Sequence, residues 1–138
     1  MSPQVSRAEA PSRALVVDDD DIIRGFLIEA LSDEGYDVRS AANGREALAL
    51  LGDDWLPEVI VLDLMMPEMD GWTFRTEQRR LPVASLIPVV VLSATRDLHA
   101  QTESLDAAAV FAKPFDLDHL LESIARIVAR PQDGSVAA

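Results

Sequence analysis

The feature of this sequence that most restricts its fold is an alternation of short apolar runs with segments of helical periodicity. Apolar runs of strand length stand at 14–17, 58–64 and 88–94. They are separated by segments in which apolar residues recur three and four positions apart, as on one face of a helix. Strands covered on both faces are apolar along their length, and parallel strands need crossover connections. The alternation therefore predicts an α/β domain with a doubly wound parallel sheet.

Two further strands and five helices complete the predicted pattern. The segment 36–41 alternates as an edge strand does, and 108–112 is a short last strand. The three apolar runs are expected at the centre of the sheet. We expect one domain over 13–130, with polar tails at 1–12 and 131–138. The predicted helices run from Ile22 to just before Gly35 and over 43–51, 70–81, 97–105 and 117–128.

The charge and composition of the chain exclude several classes of function. The sequence has 24 acidic against 12 basic residues, a formal net charge of −12. Binding to nucleic acid depends on Lys and Arg at phosphates, and anionic membranes repel an acidic surface. The chain has no cysteine, no run long enough to cross a bilayer and no apolar signal segment at its N-terminus. We therefore expect a cytoplasmic protein that binds neither nucleic acid nor membrane.

Polar residues stand where four of the predicted strands end. They are Asp18 and Asp19 after the first strand, Asp63 in the third, Ser93 in the fourth and Lys113 after the fifth. Ligands of such sheets bind beyond the carboxyl ends of the strands, so these side chains are expected to meet. Crowded carboxylates need a cation, and an oxygen-only donor set suits Mg²⁺. A lysine and a hydroxyl suit phosphoryl oxygens, and a carboxylate can act as a nucleophile. The residues predict Mg²⁺-dependent phosphoryl transfer onto Asp63.

The run of four aspartates at 18–21 is expected to divide into two functions. Asp20 and Asp21 are interpreted as residues that begin the first helix, because carboxylates cap and stabilise helix N-termini. Asn43 is predicted to cap the second helix, and Gly71 to supply a turn conformation that other residues resist. The remaining conspicuous side chains receive structural interpretations. We expect Met65, Met66, Trp72 and Phe74 to pack in the interior, and His99 and His119 to lie on the surface.

Four motifs in register carry a resemblance to a known family. They are "LVVDDDDIIR", "VIVLDLMMPEMDG", "VVVLSA" and "FAKPF". Over roughly 13–130 the chain resembles bacterial two-component response-regulator receiver domains of the chemotaxis-regulator type. The resemblance implies a flavodoxin-like sheet with strand order 2-1-3-4-5.

The resemblance also implies roles for individual residues. It implies that Asp63 is the phospho-acceptor, which receives a phosphoryl group from a phosphohistidine of a sensor histidine kinase or a histidine phosphotransfer protein. Asp18, Asp19, Asp63 and the backbone carbonyl of Met65 hold Mg²⁺, with Mn²⁺ as a substitute, while Ser93 and Lys113 contact the phosphoryl oxygens. The expected catalysis is limited to self-catalysed transfer and hydrolysis of the aspartyl phosphate.

Two positions depart from the pattern of that family, and two others are ones at which it varies. Val110 stands where an aromatic switch residue is usual, and Asp106 where glycine is frequent. Met65 and Thr95 occupy the two positions at which the family tunes dephosphorylation. Because an apolar side chain is poorly suited to orient a water molecule, we expect slow hydrolysis of the phosphorylated chain.

Four functions remain open from the sequence. The first is a stand-alone receiver that signals through residues 97–130, to a downstream effector protein or to a second copy of itself. The second is a pseudo-receiver scaffold that takes no phosphate, and the third is a receiver fragment of a larger regulator. The fourth is a phosphatase of the haloacid-dehalogenase type. That chemistry needs a second acid two residues after the nucleophile, where Met65 stands.

Overall fold

A five-stranded parallel sheet lies at the centre of the computed structural model, which describes residues 11–52, 54–94 and 105–129. The strands are β1 Arg13–Val17, β2 Asp37–Ala41, β3 Val59–Asp63, β4 Val89–Ser93 and β5 Ala109–Ala112. The helices are α1 Asp21–Asp33, α2 Gly44–Leu50, α3 Gly71–Gln78 and α4 Leu117–Ala129, with a 3-10 turn at Ala84–Leu86.

The order of the strands is β2-β1-β3-β4-β5, and every neighbouring pair is parallel. The predicted order 2-1-3-4-5 and the flavodoxin-like architecture are therefore confirmed. The register sets Val17 beside Leu62 and Asp63 beside Leu92. The carboxyl ends of β1, β3 and β4 consequently lie side by side at one edge of the sheet.

Two apolar cores cover the two faces of the sheet. Leu15 and Val17 of β1 face one core, which Phe74 of α3 completes, while Ala14 and Val16 face the other. The second core contains α1 and α4. Full burial of a large apolar side chain contributes about 1.5–3 kcal/mol, so these layers supply much of the folding free energy. Every residue of β3 and β4 is buried, which confirms the central position predicted for the apolar strands.

Short polar side chains begin the first three helices. The carboxylate of Asp20 accepts a hydrogen bond from the N–H of Ile22, and Asn43 accepts one from Glu46, each 2.9 Å long. Both predicted helix starts are confirmed. Gly35 follows α1 with φ of +98°, a left-handed conformation that glycine adopts without steric cost. Asp70 caps α3 in the same way as Asp20 caps α1.

The prediction for Gly71 is wrong in its physical reason. Its φ is not positive, so it supplies no special turn. Gly71 is instead the buried first residue of α3, and a Cβ there would lie 2.7 Å from Cδ2 of Leu64 and 2.9 Å from the carbonyl oxygen of Asp63. Glycine is needed because α3 begins against the end of β3.

The methionine at position 65 also differs from its prediction. Phe74 is fully buried, and Met66 and Trp72 pack against the first core as expected. Met65 is 59% exposed, because the chain leaves β3 two residues earlier and turns over the edge of the sheet. Its side chain therefore lies on the surface.

The fourth predicted helix, 97–105, lies outside the described residues except for Leu105, and so does His99. His119 is exposed, as predicted. Among the helices that the structure describes, none combines the length and apolar character that crossing a membrane requires.

Candidate functional site

Three carboxylates meet at the carboxyl ends of β1 and β3. Asp18 and Asp63 are 1% and 3% exposed, and Asp19 projects into solvent beside them. One carboxylate oxygen from each of the three lies within 4.8 Å of the other two. The sheet register produces this meeting, because Val17 and Leu62, the residues just before Asp18 and Asp63, are paired.

The ammonium group of Lys113 lies against two of these carboxylates. Its Nζ atom is 3.1 Å from Oδ2 of Asp18 and 3.3 Å from Oδ1 of Asp63. The backbone N–H of Lys113 donates a 2.9 Å hydrogen bond to the carbonyl of Ser93. This bond continues the pairing of β5 with β4 by one residue and fixes where the lysine side chain starts.

The crowding of charge changes the acidity of Asp63. Burial, followed by repulsion from Asp18, raises the pKa of Asp63 from 3.8 to about 6, although Lys113 and the N–H of Met65 act in the opposite direction. Burial disfavours the charged form of Lys113, but its contacts with Asp18 and Asp63 outweigh that effect and raise the pKa of the ammonium. The lysine therefore stays charged, while the acids still repel one another.

The turn that carries Asp18 and Asp19 is held by its own neighbours. Oδ1 of Asp18 accepts a 2.9 Å hydrogen bond from the N–H of Asp20, whose carboxylate caps α1. Asp21, in the first turn of α1, contacts Arg24. Asp20 and Asp21 thus begin the helix, and Asp18 and Asp19 face Asp63, as the division of the aspartate run predicted.

The two other predicted site residues lie at the same edge of the sheet. Ser93 is fully buried at the end of β4, one residue beyond the Leu92 that pairs with Asp63. The N–H of Met65 lies 3.4 Å from Oδ1 of Asp63, so the backbone of residue 65 is adjacent to the acid cluster. Thr95 lies outside the described residues.

The sequence matches the family pattern of the response regulator receiver domain over residues 14–125. This chain is a member of that family. Response regulator MprA of Mycolicibacterium vanbaalenii is 40% identical over 129 residues, covering 91% of this chain and 54% of MprA. The chain therefore spans about half the length of the curated relatives it matches.

Solved structures of receiver proteins are similar to this fold over most of the chain. The chemotaxis response regulator CheY4 of Vibrio cholerae aligns with a TM-score of 0.77 and 31% identity, covering 85% of this chain and 98% of CheY4. TrrA of Thermotoga maritima, a response regulator solved in complex with Mg²⁺ and BeF, aligns with a TM-score of 0.74 and 31% identity. That alignment covers 84% of this chain and 98% of TrrA.

The residues of this receiver domain fit a divalent cation. Asp18, Asp19 and Asp63 offer only oxygen ligands, which Mg²⁺ prefers. Repulsion from Asp18 contributes to the raised pKa of Asp63, so a cation placed between the acids would relieve an unfavourable interaction. Both the oxygen ligands and the repulsion between the acids therefore favour a divalent cation at this site.

Two departures from the family pattern have structural outcomes in this receiver. Val110 is partly exposed, and the next residue, Phe111, packs into the second core from the opposite face of β5. Phe111 therefore does not replace the missing aromatic. Asp106 has φ of +52°, the left-handed conformation in which glycine is favoured and aspartate is tolerated. The turn before β5 takes the glycine-like conformation without a glycine.

Sequence reasoning missed a buried polar network on α3. Arg75 donates to the carbonyls of Leu105 and Asp106, at 2.9 and 3.1 Å, and to Oε1 of Gln78 at 2.8 Å. Gln78 donates in turn to the carbonyls of Ala84 and Ile87. Burial lowers the pKa of Arg75, with Arg79 adding to the effect. The i, i+3 spacing of Arg75 and Gln78 beside the buried Phe74 was the only available signal.

Proposed function

We propose that this receiver domain, spanning 13–130 between tails at 1–12 and 131–138, accepts a phosphoryl group on Asp63 as a response regulator of a cytoplasmic two-component or phosphorelay pathway. The observation that carries the proposal is the meeting of three carboxylates with the ammonium of Lys113 at one edge of the sheet. Such a site can hold an acceptor carboxylate and a cation beside an incoming phosphoryl group.

The proposed donor is a phosphohistidine of a sensor histidine kinase or a histidine phosphotransfer protein. The phosphorus–nitrogen bond breaks as an oxygen of Asp63 bonds to phosphorus, and the released imidazole nitrogen takes a proton from water. With a pKa of about 6, Asp63 is mostly ionised at neutral pH and available as the nucleophile. Lys113 then holds one phosphoryl oxygen, and the Ser93 hydroxyl donates to another.

The residues proposed to hold Mg²⁺ are Asp18, Asp19, Asp63 and the backbone carbonyl of Met65, with Mn²⁺ able to substitute. When bound, Mg²⁺ supplies positive charge that neutralises the acids and a phosphoryl oxygen. The oxygen-only donor set supports this assignment, as does the Mg²⁺ in the structure of TrrA. Lys113 keeps the pair Asp18 and Asp63 compact before the cation arrives.

An apolar cleft beside the site suits the protein that donates the phosphoryl group. The cleft has a volume of about 280 Å³ and its lining includes Ile22, Phe26, Phe115 and Lys113 itself. Ile22 is 83% exposed and Phe26 48%, an unusual exposure for large apolar side chains. A donor that covers this cleft brings its phosphohistidine next to Lys113, so we propose that the donor docks there.

The proposed output is a phosphorylation-dependent protein contact through residues 97–130, with an effector protein or a second copy of the chain. Val110 lies on this surface where the structure describes it. A second candidate is that the receiver works as one part of a larger regulator. The extra length of relatives such as MprA favours that alternative.

The decisive experiment is phosphorylation by acetyl phosphate, followed by intact mass. Wild-type protein with Mg²⁺ is expected to gain the mass of one phosphoryl group, and with Mn²⁺ likewise. Asp63→Asn, or wild type in excess EDTA, is expected to gain none. A wild-type protein that stays unmodified would reject the proposal in favour of a pseudo-receiver scaffold.

The docking surface is tested separately from the chemistry. Ile22→Ser and Phe26→Ser are expected to slow transfer at least tenfold from any phosphorylated histidine kinase or phosphotransfer protein that modifies the wild type. Both variants should react with acetyl phosphate at the wild-type rate, because a small donor does not need the cleft. Equal loss with both donors would place the effect in the site and reject the docking surface.

A further inference from the structure

The side chain of Arg24 turns back from α1 towards the acid cluster. Its Nη1 atom donates a 2.7 Å hydrogen bond to the backbone carbonyl of Asp18. Its Nη2 atom forms a short contact with the carboxylate of Asp21, one turn earlier on the same helix. Only 19% of the Arg24 side chain is exposed. The guanidinium thus lies between the helix and the turn that presents Asp18 and Asp19.

This hydrogen bond fixes more than one atom. The carbonyl of Asp18 belongs to the planar peptide group that also contains the nitrogen and Cα of Asp19. On its other side, the N–H of Asp18 donates to the carbonyl of Ala41 in β2, 3.1 Å away. The peptide groups before and after Asp18 are therefore both held, one by the sheet and one by Arg24.

We infer that Arg24 is a positioning residue for the acid cluster. By holding the Asp18–Asp19 peptide group, it directs the exposed carboxylate of Asp19 to within 4.8 Å of those of Asp18 and Asp63. Asp21 contacts the other guanidinium nitrogen, Nη2, so the acidic helix start serves the cluster indirectly. The inference rests on the proposed function, because its consequence is the affinity of the cluster for Mg²⁺.

Charge and position predict opposite results when Arg24 is removed. A guanidinium near a cation site repels the cation, so through charge alone its loss would strengthen Mg²⁺ binding. Loss of the hydrogen bond frees the turn and lets Asp19 move away, which weakens Mg²⁺ binding. Replacing a residue that orients a metal ligand typically lowers the affinity for the metal by about tenfold to a hundredfold. The sign of the change therefore separates the two roles.

The test is Mg²⁺ titration of the whole chain, followed through backbone amide NMR signals. Arg24→Ala is expected to weaken Mg²⁺ binding by about tenfold. Arg24→Lys, which keeps the charge and one donor, should lie between Arg24→Ala and wild type. Arg126→Ala removes an equal charge from an exposed position on α4 and should bind as wild type does. Thermal unfolding in EDTA verifies that each variant is folded.

A second measurement distinguishes weaker Mg²⁺ binding in Arg24→Ala from a general loss of reactivity. With acetyl phosphate, Arg24→Ala should need about tenfold more Mg²⁺ for half-maximal phosphorylation but approach the wild-type rate at saturating Mg²⁺. Unchanged or tighter Mg²⁺ binding by Arg24→Ala would overturn the inference and leave the proposed function intact. Absence of Mg²⁺ binding by wild type would instead overturn the proposed metal site.

Discussion

The ammonium group of Lys113 donates a 3.1 Å hydrogen bond to Oδ2 of Asp18, although 95 residues separate the two positions in the chain. Lysine occurs once in the 138 residues, so the protein places its single ammonium side chain in the acid cluster. The same Nζ atom reaches Oδ1 of Asp63. Lys113 therefore bridges the two buried acids.

Replacing Lys113 tests that bridge. Lys113→Met leaves Asp18 and Asp63 without their shared counter-charge, so we expect metal-free protein to lose about 2 kcal/mol of unfolding free energy at neutral pH. Phosphorylation by acetyl phosphate should slow at least tenfold. Urea unfolding and intact mass measure the two effects. Lys113→Arg keeps the charge and should recover most of the stability; full stability of Lys113→Met would show that the bridge contributes nothing net.

The raised pKa of Asp63 predicts how stability depends on pH without metal. Because the folded pKa of about 6 exceeds the unfolded value near 3.8, the folded state favours the protonated acid. Its stabilising contribution is complete below about pH 4 and is lost as the pH rises through 6. The Asp63→Asn side chain cannot ionise. The free energy of unfolding of this variant should therefore exceed that of wild type by on the order of 2 kcal/mol at about pH 7.5.

The measurement is urea unfolding in EDTA from about pH 4 to 8. The advantage of Asp63→Asn should vanish at the acidic end of the series. Adding Mg²⁺ at neutral pH should stabilise wild type more than Asp63→Asn, because a ligand that binds only the folded state shifts the equilibrium towards it. An advantage that does not vary with pH would contradict the assignment of the raised pKa to Asp63.

Gly71 and Gly25 provide a matched pair of substitutions that tests the close packing at the start of α3. Gly71→Ala places a methyl group 2.7 Å from a Leu64 methyl and 2.8 Å from the Leu64 backbone, so the start of α3 must shift. We expect a loss of about 1–3 kcal/mol and slower phosphorylation of Asp63, whose carbonyl is also displaced. Gly25→Ala meets no atom within 4 Å inside α1 and should gain up to about 1 kcal/mol. Thermal unfolding compares them; equal stability of the two variants would contradict the packing argument.

The hydrogen-bond network of Arg75 and Gln78 on α3 predicts that the losses of unfolding free energy caused by replacing them do not add. Arg75→Met leaves the carbonyls of Leu105 and Asp106 and the amide oxygen of Gln78 unpaired, which costs about 2–4 kcal/mol. Gln78→Leu alone should cost about 1–3 kcal/mol. The double variant should lose less than the sum, because the two residues share one hydrogen bond. Urea unfolding of all four proteins gives the coupling, and strict additivity would contradict a shared network.

Met65 is exposed two residues after Asp63, and slow dephosphorylation of Asp63 remains a prediction. The side chain of Met65, two residues after Asp63, is poorly suited to orient an attacking water, so we expect the phosphorylated wild type to last minutes or longer. Met65→Gln has similar length and a polar end, and should shorten the lifetime severalfold. Met65→Leu keeps the apolar character and should not. Intact mass after removal of acetyl phosphate measures the decay; a wild-type half-life of seconds would reject the expectation.

Much of the fold could be predicted because its signals are local. The apolar runs that became β1, β3 and β4 are buried on both faces, and their pattern needs no knowledge of their partners. The caps at Asp20 and Asn43 act within a few residues of chain. Their positions were therefore available from the sequence.

Other features depend on which segments meet. The sequence predicts a special turn conformation at Gly71, whereas glycine is required there because α3 begins against Leu64. The hydrophobic character of Met65 predicts an interior position, but the path of the chain after Asp63 leaves its side chain in solvent. Arg75 was overlooked since its partners, Leu105 and Asp106, lie 30 and 31 residues away.

By itself the sequence determined the elements, their alternation and the residues available for chemistry at the strand ends, since periodicity and residue type are properties of the chain. Only the tertiary structure decided that Lys113 bridges Asp18 and Asp63, that Arg24 holds the Asp18 carbonyl, and that the pKa of Asp63 is raised to about 6. Those facts depend on distances and burial between distant segments. Sheet register and packing set such distances, and no local pattern encodes them.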